Sequence, residues 1–596
     1  MSIDSSVRSH ILSAVPAALI FAVSAVVLFL KRSVLAKAAA ISIWSPDACF
    51  AHDFLNRPGG ILEYCGEYLT QFGHVPFVGI SLMLALMAAC VLLCGKAFGK
   101  SVLAFLPAVC MLLFWTGMDY NLFVMRAQGY VYSQMLGILA ASAVAALYAS
   151  HSGKPLVFAL LTLVAGFPLI GAYALVAALC IAVIQSVAGS DGRRFIVLAS
   201  IVLAAALVPQ IYTRFVFSHI DVSFTYLAGT PLFDFNGNEV RWLPIAASGL
   251  FLILLPLVSK ASAWLSSHWA FNLIVSVLIC LGVVFFSYWD KNFHSEIKME
   301  QALEANDWDR VLEIASGLDS PTRISVMYRN IALLYKGQLL DRMYDFPDEC
   351  NPINTKAPVS MTMVCAPVSF FYYGMLQYST RWAMECTMLY QPGVQRYKYM
   401  VKNAIFSGIE KPALVEKYLR IIDANMFQHG WVEKYRAMLY DRTLLENDPE
   451  YRMSVELNRY EEPKFMSSAV VENTILRLFA NLERPQGRLL DLSLASVLEV
   501  KKPELFWDKY DQWNEEGRPM TKTLAEAALL FAYMNHDETR LADILDRIGG
   551  ADSRILKRFN SFSAAANRGS DESFFKKNYG DTYWYHCFFM KELLTD

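Results

Sequence analysis

Between Ser45 and Pro76 the chain gathers Asp47, His52, Asp53, Arg57, Glu63, Glu67 and His74, the densest set of reactive or polar-binding groups in its first half. A carboxylate held at a membrane surface, here Asp53 or Asp47, can serve as a general base or ligate a divalent metal. His52 and Arg57 stand beside these acids, and Asp119 and Arg126 follow in the next polar loop with Tyr120 and Gln128-Gly129-Tyr130. If both loops lie on one side of a membrane, Asp119 and Arg126 face the same space as the first stretch. The plainer alternative is a set of solvated or paired surface groups.

The elements that hold this stretch are apolar. Of the 596 residues 55% are hydrophobic, and charge is unevenly spread. Residues 1–290 carry 25 of the 106 Lys, Arg, Asp and Glu, and residues 291–596 carry the other 81. Two halves so different in charge density belong in different solvents. Neither half has the clustered Lys and Arg of a nucleic-acid footprint, so nucleic acid is not an expected partner.

Candidate membrane-spanning runs occur at 11–30, 76–95, 101–117, 131–150, 155–168, 169–187, 195–213, 242–259 and 271–288, about nine spans. The block 155–187 is interrupted at Gly166-Phe167-Pro168 and reads as a helical hairpin or a kinked span. Lys96, Lys100, Lys154, Arg193, Arg194 and Lys260 fall in alternate loops. Short loops rich in Lys and Arg stay cytoplasmic, which puts the N-terminus inside, and the 33–75 loop and everything after Asp290 outside. Lys31, Arg32 and Lys37 argue the other way. Ionisable groups are nearly absent from the spans, which weakens a transporter reading.

In the 33–75 loop, Pro58-Gly59-Gly60 breaks the chain ahead of an amphipathic helix in which Glu63, Glu67 and Gln71 recur every four residues. The 11 cysteines form no C-x-x-C pair and no zinc spacing with His, so no metal site is expected; Cys49 and Cys65 could pair in an oxidising compartment. Asp234-Phe-Asn236-Gly-Asn238 suggests calcium, but Glu239 stands where the common loop needs Gly, so a polar turn is expected.

After Lys291 the pattern becomes charged amphipathic helices with short breaks, at Met299–Ala315, Asn330–Leu340, Ala404–Tyr418 and Ala527–Leu545. The period suggests degenerate tetratricopeptide-like hairpins, which stack and offer a concave partner surface. Val368–Tyr390 reads as a buried core helix, not a tenth span, because Gln377 and Arg381 interrupt it. No Ser/His/Asp order, phosphate loop or metal motif is visible in this half. The expected fold is all-α: a polytopic domain at 1–290 and a soluble repeat-like domain at 291–596.

Asn56-Arg-Pro-Gly-Gly-Ile-Leu-Glu-Tyr, Tyr68-Leu-Thr-Gln-Phe, and Ala413-Leu-Val-Glu-Lys-Tyr-Leu-Arg with Trp431 downstream resemble the signatures of an uncharacterised family of multi-spanning inner-membrane proteins of Bacteroides-type bacteria. That resemblance implies a periplasmic helical domain and supplies no activity or cofactor. The layout is also similar to that of membrane glycosyltransferases of the GT-C type, which use polyprenyl-linked sugar donors. It implies group transfer at the periplasmic face of the inner membrane, with Asp53 or Asp47 activating an acceptor and His52, Arg57 and Arg126 contacting donor phosphates. The alternative is a non-catalytic envelope scaffold that binds a protein partner through its helical half.

Overall fold

The structure, a computed structural model, describes residues 5–590 apart from 100, 124–128, 152–153, 189–191, 232–241, 259–263, 265–267, 349–358, 391, 409–410 and 461–470. Every regular element among the described residues is helical. Contacts divide the chain into two units: Met1–Trp289 with Thr387–Gln395 and Leu419–Val432, and Asp290–Cys386 with Arg396–Tyr418 and Glu433–Asp596.

In the first unit the expected spans fall on apolar helical segments, but among the described residues they do not make nine candidate crossings. Among the described residues four helices are long and apolar enough to cross a membrane: Pro76–Phe98, Tyr130–His151, Arg193–Phe215 and Trp269–Phe286. A fifth exists only if the pair Ala14–Leu30 and Arg32–Ala40, bent by 60°, counts as one. The rest are short. Pro155–Ile170 has 16 residues and Ala172–Ala188 has 17. At 1.5 Å per residue such helices reach about 24–26 Å, less than a ~30 Å hydrocarbon core. The 101–117 run splits into a 3-10 turn, Val102–Phe105, and the helix Leu106–Thr116. Helices in this unit meet through small side chains, with Ala159, Ala178, Ala182 and Ala205 buried around Leu163 and Ile181, the close approach that membrane bundles use.

The expected hairpin at 155–187 is present, and its break falls at Gly171, not at Pro168. Gly171 has φ 56°, and a Cβ there would sit 2.1 Å from the Ala228 carbonyl oxygen. Gly59 meets the same turn: its Cβ would lie 2.6 Å from Gly229 Cα. Gly59 N–H donates to Pro168 O at 3.0 Å and Ala172 N–H to Ala228 O at 2.8 Å. The 33–75 loop, the hairpin tip and the turn at 228–229 thus interlock, backbone against backbone, where only glycine fits.

The second unit starts at a helix whose N-cap, Asp290, accepts from Phe293 N–H. One construction recurs. Lys291–Glu304 precedes Trp308–Ser316, and Lys522–Met534 precedes Glu538–Arg547. In each turn a left-handed residue (Asn306, His536) is followed by an Asp, Asp307 or Asp537, whose carboxylate caps the next helix. That cap satisfies an orphan N–H of the helix start. Val368–Tyr390 is not one helix. Gly374, at φ 76° against Leu457, separates Val359–Tyr372 from Leu376–Leu389.

Candidate functional site

Three places in the fold gather functional groups. The first is the 33–75 loop, built from helices Arg32–Ala40, Ala48–Leu55 and Gly60–Thr70 and a 3-10 turn Gln71–His74. Asp47 is exposed and caps the second of these, accepting from Cys49 N–H at 2.7 Å. Asp53 and His52 are exposed on that helix, and His52 Nδ1 lies 3.3 Å from Asn56 Nδ2. Arg57 pairs with Glu63 at 2.6 Å and covers the Phe54 ring. Asp119 is half-buried in its own loop, and Arg126 lies outside the described residues. Cys49 and Cys65 are both free and exposed.

The helix after the glycine break begins where expected, at Gly60, but its polar stripe turns inward. Glu67 is 1% exposed and Gln71 3%. Glu67 Oε1 accepts Gly129 N–H at 2.9 Å, and Gln71 Oε1 accepts Met426 N–H at 2.7 Å. Glu63 is held by Arg57. Backbone donors from returning segments compensate what looks in sequence like a solvated face. Burial drives the Glu63 carboxyl above its ordinary range against the pull of Arg57, and pushes Glu67 up to about 8 against the Gly129 hydrogen bond.

The second place is a cleft of about 650 Å³ in the second unit. The end of one helix at Ile405 and Phe406, the end of another at Met438–Tyr440, and Leu445, Tyr451 and Val455 supply its apolar walls. Arg442, Arg459 and Asn458 line it as well. Tyr440 is 66% exposed and Leu444, beside the cleft, 48%. The helices that supply these walls are also tied by Lys402, which donates to Glu450 Oε1 at 2.8 Å with both side chains buried, while Tyr435 donates to Glu450 Oε2.

The third place is a buried charged cluster in the second unit, assembled from five elements. Arg323 opens the helix Arg323–Tyr335 and donates to Asp348 Oδ1 at 2.6 Å, to Glu472 Oε2 at 2.7 Å and to Glu499 Oε2 at 3.4 Å. Tyr344 donates to Glu499 Oε1 at 3.3 Å. His586, from the helix Tyr583–Phe589, puts Nδ1 3.7 Å from Asp348 Oδ2 and Nε2 3.9 Å from Glu499 Oε1. Among the described residues neither ring nitrogen has a hydrogen-bond partner, nor has Asp348 Oδ2. Burial pushes His586 down to about 3, so its ring is neutral. Burial and the neighbouring Asp348 raise Glu499 to about 7, with Arg323 opposing. Asp348 stays below its ordinary value because Arg323 and Arg329 outweigh its burial. Residues spaced 151 and 87 positions apart in the chain left no motif for sequence reading to find.

These features define an all-helical protein with a handful of apolar helices long enough to span a membrane and a charged helical second unit. The chain belongs to a family of unknown function, DUF6057, whose model matches residues 9–590. No curated protein and no solved structure matches it significantly.

Proposed function

We propose that this protein is a membrane-anchored envelope scaffold that captures a polypeptide segment of a partner in the cleft lined by Phe406, Tyr440, Leu445 and Tyr451. The observation that carries this reading is the cleft itself. It combines aromatic and aliphatic walls with two guanidiniums, the composition of protein-binding hot spots. Arg442 and Arg459 favour a segment carrying acidic side chains beside its apolar anchors. Paired helices with capped turns form the kind of stacked frame, tetratricopeptide-like in texture, that presents such a surface.

The anchor is the first unit. Its helices leave Leu203, Leu207, Ile211, Leu278, Leu281 and Phe285 exposed, apolar side chains that a bilayer would cover. In this proposal the first unit sits in the inner membrane and the second unit in the periplasm. Asp47, whose carboxylate caps a helix, and the exposed Asp53 have structural or solvent roles in this reading and no catalytic one.

The test is a photo-crosslinking amino acid placed at Tyr440 or Leu445 of the full chain in its native cells. A discrete adduct lost on Leu439→Asp or Arg442→Glu and kept on Asp53→Asn supports capture. An adduct indifferent to the cleft substitutions, or none at any cleft position, overturns it.

A further inference from the structure

The charged cluster in the second unit has geometry that the proposed scaffold role does not use. Arg323 occupies Asp348 Oδ1 and Glu499 Oε2; Asp348 Oδ2, 3.9 Å from an Arg329 nitrogen, and Glu499 Oε1, which also accepts from Tyr344, are turned towards His586. All three residues are buried, and among the described residues the two ring nitrogens and Asp348 Oδ2 lack hydrogen bonds. Buried polar atoms are rarely left so.

The spacing bears on what belongs there. Gaps of 3.7 and 3.9 Å are too long for direct hydrogen bonds. A water accepting and donating at ~2.8 Å with a tetrahedral angle needs about 4.6 Å between its partners. Two metal–ligand bonds of ~2.1 Å opening at about 120° span roughly 3.6 Å. The donor atoms of Asp348, Glu499 and His586 lie within 4.8 Å of one another, and side-chain adjustments of about an ångström close them to ligand spacing.

The charges are compatible. Three carboxylates, Asp348, Glu472 and Glu499, face the guanidiniums of Arg323 and Arg329. Lys501, the other cation acting on His586, reaches the Cys587 and Met590 carbonyls.

We propose that Asp348, Glu499 and His586 form a buried site for one divalent transition-metal cation. The mixed imidazole and carboxylate set suits zinc, manganese or cobalt better than calcium or magnesium. Arg323 and Tyr344 act as positioning residues that orient the ligating carboxylates, as outer-shell partners do elsewhere. The site is closed by Arg323, Tyr344 and the buried helix of His586, so the metal would stabilise the fold and not turn over substrate.

The experiment uses the full chain in detergent, stripped with EDTA and titrated with Zn²⁺ and with Co²⁺. The expected result is one ion per chain, a visible Co²⁺ ligand-field spectrum, and a higher unfolding temperature on loading. Asp348→Asn and His586→Ala should each weaken affinity at least ~10-fold and change the Co²⁺ spectrum, whereas Glu472→Gln, which touches only the Arg323 side, should leave the spectrum unchanged. Should His586→Ala fail to fold, the wild-type titration and the isosteric Asp348→Asn decide. Absence of stoichiometric binding in the wild type, or a Co²⁺ spectrum identical in Asp348→Asn, overturns the site. A hydrogen-bonded network that binds only protons would then hold the cluster together. Neither result depends on the cleft.

Discussion

Glu67→Gln should make the protein more stable at alkaline pH and leave it unchanged at acidic pH. The carboxyl is buried, and the hydrogen bond it accepts from Gly129 N–H is made equally well by an amide oxygen. Burial lifts the folded-state value from an ordinary 4.5 to about 8. The sign follows from proton binding: below 4.5 folded and unfolded chains both hold the proton and the carboxyl costs nothing. As pH rises towards 8 the unfolded chain ionises first, so stability drains away until the folded carboxyl ionises too. At about 1.4 kcal/mol for each tenfold change, that gap caps the loss at roughly 5 kcal/mol above pH 8, and about 3–5 kcal/mol is the working range. The uncharged amide of the variant escapes that loss. Unfolding of a detergent-solubilised membrane protein is commonly irreversible, so the assay is the half-life at fixed temperature across pH 4–9. Wild type and variant should coincide near pH 4.5 and separate progressively to pH 8.5, with the variant longer lived. Parallel profiles, or a variant weaker at every pH, would refute the inward placement of this carboxyl.

Gly171→Ala should cost at least about 3 kcal/mol or prevent folding, because it forces a positive φ and a clash with Ala228; Gly282→Ala, with open space around it, should be neutral or stabilising by up to about 1 kcal/mol in the same thermal assay. Lys402→Met should destabilise by about 3–5 kcal/mol by stranding Glu450, and adding Glu450→Gln should recover most of that, as a double-mutant cycle of unfolding will read. Arg518→Met should remove the partner that holds Asp491, already raised to about 6 by burial, and make stability fall more steeply between pH 6 and 8. Asp53→Asn should leave stability and partner capture unchanged, since the side chain is exposed; loss of a glycosyl-transfer product in membranes carrying this variant would revive the group-transfer reading.

Helix type and the change of texture near Asp290 were legible because hydropathy runs and helical periodicity are local. Crossing number was not. Whether Pro155–Ile170 spans a bilayer depends on where Gly171 breaks the chain, and that break is fixed by the backbone of Ala228, 57 residues away. The helix start at Gly60 followed from the Pro58-Gly59-Gly60 break, but the direction its Glu63/Glu67 stripe faces did not. A stripe of acids reads as solvated unless one knows that Gly129 N–H and Arg57 await it. The cluster of Arg323, Asp348, Glu472, Glu499 and His586 was illegible for the same reason. Each residue alone is an ordinary polar position in a helix, at a helix end or, for Asp348, in a loop, and only packing shows that all five are buried together.

The most direct test of the scaffold account is hydrogen exchange on the full chain in native membrane vesicles against the same chain purified in detergent. Occupancy of the cleft predicts slower exchange in vesicles for the backbone around 405–408, 438–445 and 451–459, lost on purification and lost in vesicles when Leu439→Asp is introduced. Equal rates in both preparations, with or without that substitution, would contradict capture at this surface.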